Sequence, residues 1–168
     1  GAHQKLSGKD LTYFDDETKE KYIPYVVEPA MGVDRAVLVA LFESYHEEPV
    51  RGEKRIVLRL PKAIAPLKVA VLPLARNRPE IVELAKKIVA ELKPHMMAMY
   101  DDTASIGRLY RRQDEIGTPF CVTVDHQSAL PEDAQYDGQV TIRDRDSMEQ
   151  IRVPIAEVKN VLVSRLAE

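Results

Sequence analysis

The sequence predicts an α/β fold: a mixed, roughly five-stranded sheet with helices on both faces, spanning residues 68–168. Three observations predict it. The apolar runs Val69–Leu72, Met96–Tyr100 and Phe120–Val124 alternate with segments of helical period, which is the pattern of parallel strands with crossover helices. The links between them are short, so the crossovers are right-handed and the helices fall on both faces. Val140–Arg145 and Met148–Val153 then alternate apolar and polar around Asp146-Ser147, as an antiparallel hairpin does.

Each element has its own justification. Leu11–Phe14 reads as a short strand and Tyr22–Val27 as a second, with Pro24 suiting an edge or a bulge. Ala36–Phe42 (AVLVALF) is apolar all round, so it predicts a helix that needs cover on every side. The first fifty residues hold too little to supply that cover. The exposed apolar surface predicts self-association of the chain. Residues 49–67 read as a basic connector with Pro49, Pro61 and Pro66 and a short strand at Ile56–Leu60.

From Lys68 the pattern is regular. Asn77 can cap a helix with Pro79 in its first turn, and Ile81, Leu84, Ala85, Ile88, Val89 and Leu92 keep the 3.6-residue period. The next helix starts at Ser105. It sets Ile106, Leu109, Tyr110 and Ile116 on one side and Arg108, Arg111, Arg112 and Glu115 on the other. Gly117 ends it, because glycine tolerates the left-handed conformation, and Pro119 cannot extend it. Gln127–Asp137 reads as a polar loop. Pro154 opens a last helix with Ile155, Val158, Val161, Leu162 and Leu166 inward.

Composition excludes several classes of function. The chain has 168 residues, a formal charge of −3 and 45% hydrophobic residues, enough for a core and far from the balance of a strongly basic protein. The charge is uneven: residues 1–50 are acidic, while Arg51–Lys68 is locally basic and suited to steer a polyanion. One cysteine, Cys121, excludes an internal disulfide, and four scattered histidines have no metal-ligand spacing, so no metal site is expected. No signal peptide or membrane span is evident, and a cytoplasmic location is expected.

Two stretches carry chemistry. In Glu28–Arg35 a carboxylate closes a strand, a glycine turn follows, and Arg35 lies in the first turn of a helix. Free N–H groups and the helix dipole favour an anion there, Arg35 adds a planar fork for phosphate, and Glu28 is placed to accept an ammonium. A strand-ending glycine beside surface charges gives the same letters. The Ser105 helix and the hairpin offer Arg108, Arg111, Arg112, Glu115, Arg143, Asp144 and Arg145. These are charges for a polyanion or a solvated surface.

Leu11–Glu48 (LTYFDDETKEKYIPYVVEPAMGVDRAVLVALFESYHEE) resembles the third signature motif of class II aminoacyl-tRNA synthetases, in the form found in glycyl-tRNA synthetases of the homodimeric type. The resemblance continues through Leu60–Leu74, Tyr110–Val124 and Val140–Arg152, and YIPYVVEP with RDRDSMEQ marks the glycyl branch. It implies ligation of glycine to tRNA(Gly) with ATP and Mg2+, in a homodimer. It also implies that residues 1–48 are the end of a class II catalytic domain and 68–168 an anticodon-binding domain. Glu28, Pro29, Ala30, Met31 and Gly32 then line the glycine pocket, and Gly32, Val33, Asp34 and Arg35 the ATP site, with Arg35 the catalytic arginine that braces the phosphates. Ala30 stands where many members carry Ser, and Gln127–Asp137 departs from the shorter acidic turn of the family.

Cytosines of a glycine anticodon would seek acceptors such as Glu115 or Asp144, with Arg108, Arg111, Arg112, Arg143 and Arg145 on the backbone. The first two motifs of the class are missing, so the chain is expected to be a C-terminal piece, inactive alone and needing no cofactor alone. A non-catalytic accessory module of the same fold is the alternative. A flavodoxin-like small-molecule domain is disfavoured, because Pro73-Leu74-Ala75-Arg76 replaces a glycine-rich phosphate loop.

Overall fold

The computed structural model describes residues 1–50, 52–132 and 135–168. Chain contacts divide it into two units, Gly1–Ala36 and Val37–Glu168.

The first unit holds helix α1 (Ala2–Ser7) and a minimal antiparallel pair, β1 (Tyr13–Phe14) with β2 (Lys21–Tyr22). The predicted strand Tyr22–Val27 is not formed beyond Tyr22, and residues 23–32 have no regular structure. A strand is held by a neighbour, and β1 offers two residues of pairing; Pro24 cannot donate to a ladder in any case. Helix α2 (Val33–Ser44) begins here, and its residues 37–44 count with the second unit. Its side chains are largely exposed, Leu38 at 65% and Phe42 at 77%, so the cover its composition calls for is not supplied.

The second unit opens with an antiparallel hairpin of β3 (Tyr45–Val50) and β4 (Glu53–Leu58), where the sequence reading placed a connector with one short strand. Pro49 lies within β3, which has β4 on one side only, and an edge strand tolerates proline. The main sheet follows. Its strands are β5 (Val69–Pro73), β6 (Ala98–Tyr100), β7 (Phe120–Val124), β8 (Gln139–Asp144) and β9 (Gln150–Pro154), in the order β6-β5-β7-β8-β9. β5 runs parallel to β6 and β7, with Val69 opposite Ala98 and Phe120. β8 and β9 add antiparallel, with Ile142 between Val122 and Ile151. The mixed five-stranded sheet is as the sequence predicts.

Its two faces are filled differently. On one, helices α3 (Pro79–Leu92) and α6 (Val158–Ala167) bury Ile81, Ala85, Ile88, Leu92, Val158 and Leu162 against Val69, Val71, Val122, Val140 and Ile142. On the other, α4 (Ile106–Ile116) lays Leu109 on Ala70, Leu72 and Cys121. That second apolar cluster is small, and buried charge fills the space beside it.

Local corrections concern boundaries. Arg78, not Asn77, is the N-cap of α3, and Pro79 takes the first helical position, where its missing N–H costs nothing. Ile116 is 42% exposed, and Gln113 and Asp114 are buried in the face assigned to it. Part of the predicted polar loop is helix α5 (His126–Ala129), closed by a reciprocal cap between Asp125 and Ser128; Asp133 and Ala134 of that loop lie outside the described residues, as does Arg51 of the connector. The β8–β9 connection is longer than a two-residue turn and includes Met148 at φ 59°. A short 3-10 turn, Ile155–Glu157, precedes α6.

Candidate nucleic-acid interface

Asp114 organises the charged side of α4. Its carboxylate accepts two bonds from the Arg143 guanidinium, at 2.9 and 3.1 Å, and a third from Arg55 Nε at 2.9 Å. Arg55 also donates to Glu48 and to the Arg145 carbonyl. Burial opposes the charge on Arg55, but its bonds to Asp114 and Glu48 outweigh that and raise its pKa. Arg143 stacks over the Tyr110 ring at 4.9 Å, and the Tyr110 hydroxyl meets Thr123 Oγ1. Arg145 donates to the carbonyls of Gly117 at 2.9 Å and Leu60 at 3.0 Å, and pairs with Asp146. The network therefore joins β4, α4, β8 and the chain after β4.

Four of the predicted RNA contacts are engaged within the protein itself. Arg143 is 6% exposed and Arg145 2%, both answered inside the protein. Arg143 lies on β8 and Arg145 just past its end, and α4, β4 and the chain after β4 answer both guanidinium groups. Arg112 donates to Asp101 and Thr103. Asp144 Oδ1 accepts from the backbone N–H groups of Asp146 and Ser147 and so shapes the turn. The remaining three, Arg108, Arg111 and Glu115, are exposed at i, i+3 and i+7 spacing on the outer face of α4. Arg111 pairs with Glu53 at the surface, a bond that competing phosphate can replace, since such pairs are worth only about 0–1 kcal/mol.

Sequence reasoning missed Arg55 and Asp114. The signal was present: Asp114 is one turn beyond Tyr110 on the inward stripe, and a carboxylate placed inward requires buried cations. Cys121 is sealed in β7, where burial pushes its thiol up to about 12, out of reach of nucleophilic chemistry at neutral pH.

The Glu28–Arg35 stretch presents a different picture. Tyr25, Val26, Val27 and Met31 are more than three-quarters exposed, and Glu28, Ala30, Gly32, Asp34 and Arg35 are exposed with them. Ala36 N–H bonds the Gly32 carbonyl at 3.1 Å, so the helix does start where predicted. These residues alone do not enclose glycine or a triphosphate. No group of three or more carboxylate, His or Cys side chains that could hold a metal ion exists among the described residues. No helix among the described residues is long and apolar enough to cross a membrane.

A parallel βαβ core, extended by an antiparallel pair and bearing exposed arginines on α4, defines a small α/β module. The family model described as "Anticodon binding domain" matches residues 68–165, and the chain belongs to that family. Over 98% of its length the chain is 54% identical to the glycine–tRNA ligase of Caldanaerobacter subterraneus subsp. tengcongensis, covering 34% of that protein. It is 50% identical to the glycine–tRNA ligase of Corynebacterium efficiens and 49% to that of Geobacillus kaustophilus, with the same 98% of the chain aligned. The chain thus spans about a third of the length of the curated relatives it matches. Among solved structures, prolyl-tRNA synthetase from Cryptosporidium parvum superposes with a TM-score of 0.58 at 22% identity, over 66% of this chain and 22% of that one, which shows a shared fold.

Proposed function

We propose that this chain is the anticodon-binding portion of a glycine–tRNA ligase, together with a segment of that enzyme's catalytic domain. The observation that carries this reading is identity near one half to glycine–tRNA ligases along nearly the whole chain, including the stretch before the anticodon-binding match. That extension disfavours a free-standing accessory module. Residues 1–48 then close the catalytic domain, 49–67 connect, and 68–168 grip the RNA; the β3–β4 hairpin spans the first of these boundaries.

In the whole enzyme, which would act in the cytoplasm as a homodimer, glycine is activated with ATP and Mg2+ and moved to tRNA(Gly). Glu28–Gly32 would line the glycine pocket and Gly32–Arg35 the ATP site, with Arg35 bracing the phosphates by its permanent charge. The rest of the enzyme completes that pocket, because the residues here do not enclose it. For the RNA, Arg108 and Arg111 would hold phosphates, and Glu115 would accept from a cytosine amino group.

Titration of the 168-residue chain with tRNA(Gly) tests the reading. Salt-dependent binding that weakens when the two anticodon cytosines are replaced is the expected result. Equal affinity for a tRNA with an unrelated anticodon would overturn it. In the complete ligase, Arg35→Ala should abolish most ATP–pyrophosphate exchange, whereas the isolated chain should show no exchange above background.

A further inference from the structure

Arg108 and Arg111 stand one turn apart on the outer face of α4 and differ in what meets them. Arg108 lines an open crevice with Arg76 at the carboxyl ends of β5 and β6; no carboxylate lines that crevice, and neither arginine makes an ion pair among the described residues. Arg111 is held by Glu53, the first residue of β4. The two side chains of this pair are 62% and 65% exposed, yet their placement is fixed from beneath. Strand alternation sets Glu53 and Arg55 on the same side of β4, and helical spacing sets Arg111 and Asp114 one turn apart on α4. The two elements therefore meet in two rungs of opposite polarity. In the inner rung Arg55 donates to Asp114 at 2.9 Å, and both side chains are nearly inaccessible. In the outer rung Arg111 donates to Glu53. Lys54, between Glu53 and Arg55, turns instead to Glu47 on β3 at 2.6 Å.

We infer that Glu53 is a built-in competitor for Arg111, an autoinhibitory contact that RNA must displace; this rests on the RNA-binding reading above. A carboxylate, like a phosphate oxygen, is an acceptor only, and the guanidinium fork matches both. Glu53 thus takes on Arg111 the place that a phosphate takes in a complex. Displacing it unpacks nothing, because both side chains are exposed. A cavity of about 350 Å³ between the hairpin and α4, with Val50, Gly107 and Met148 in its lining, gives the carboxylate room to leave. The inner rung stays closed when the outer one opens, so the acid remains beside its arginine and returns when the RNA departs. A competitor tethered in this way acts at a high effective concentration however dilute the protein is. Arg76 and Arg108 have no such competitor, so the contact tunes one position of the binding surface and leaves the others open. The buried charges beside it gain a purpose: they hold the hairpin where Glu53 reaches α4.

The test is a double-mutant cycle, read by fluorescence-anisotropy titration of tRNA(Gly) against the chain over a series of KCl concentrations. Glu53→Gln keeps the shape and removes the charge; it should bind about two- to fivefold more tightly, the range an exposed ion pair allows. It should also steepen the slope of log K against log salt by about 0.7, because counterions now cover Arg111 and the RNA releases them. With Arg111→Ala already in place, Glu53→Gln should change affinity far less, since its target is gone. The control Glu83→Gln removes the same charge from α3, on the opposite face of the sheet, and should leave affinity and slope nearly unchanged. Three outcomes overturn the competitor while the unmodified chain binds tRNA(Gly): no gain from Glu53→Gln, an equal gain with and without Arg111, or an equal gain from the α3 control. If the unmodified chain shows no salt-dependent binding of tRNA(Gly) at all, the functional reading falls, and the competitor with it. Circular dichroism confirms that each variant is folded.

Discussion

Two arginine-rich regions of the 37–168 unit differ in what answers their charge. Beside the β3–β4 hairpin, Arg55, Arg143 and Arg145 meet Asp114, Glu48, Asp146 and backbone carbonyls, and all three are nearly inaccessible. At the carboxyl ends of β5 and β6, Arg76 and Arg108 meet no group of opposite sign among the described residues. The first region uses charge to lock elements together. The second leaves charge unspent, which is what binding a polyanion requires. A count of arginines therefore says little until the acids beside them are placed.

The comparison is broken most forcefully at Asp114. Asp114→Ala leaves Arg55 and Arg143 buried without their shared carboxylate and should cost about 3–5 kcal/mol in a urea denaturation. A loss under about 1 kcal/mol would show that the network does not hold the hairpin to α4. Gly117 tests the same junction through its backbone. Its φ is +82°, and an added Cβ would stand 2.9 Å from the Leu58 carbonyl oxygen. Gly117→Ala should therefore destabilise by about 1–3 kcal/mol, visible as a lowered Tm; an unchanged Tm would mean the turn relaxes freely.

A smaller effect is expected from Asp101. Burial opposes its ionisation, yet the bonds from Thr103 and Arg112 outweigh burial and hold its carboxyl below the usual carboxylate range. A carboxylate with a lowered native pKa stabilises the fold above its unfolded pKa of about 4, and that contribution disappears as pH falls through the native value. Wild type and Asp101→Asn should thus differ in stability near pH 6 and converge in strong acid. A gap that widens on acidification would reverse the sign and refute the assignment.

Smallest of all is the stability change on the open side. Arg76→Ala and Arg108→Ala should each shift unfolding by no more than about 0.5 kcal/mol, since neither side chain holds another. A shift above 1 kcal/mol in thermal melts would place them with the structural arginines and remove the distinction.

Much of the architecture was legible because periodicity is local. The runs Val69–Leu72 and Phe120–Val124, the helical stripe from Ile81 to Leu92 and the Gly117 stop each record a backbone preference that neighbours a few residues away already dictate. The β3–β4 hairpin was not legible, since charged residues outnumber apolar ones in Tyr45–Glu53 and no short-range turn signal outweighs that. Strand Tyr22–Val27 failed for the opposite reason: its apolar letters suit a strand, but pairing partners are supplied by other segments.

The sequence by itself determined the alternation of strands and helices from Val69 to Val124 and the stop at Gly117. Tertiary structure alone decided that Arg143 and Arg145 lie beneath α4 and the hairpin, and that Arg76 comes beside Arg108 at an open crevice. The physical reason is range. Alternation and helical period fix which way a side chain points within its own element, while burial and ion pairing depend on which distant segment arrives to cover it.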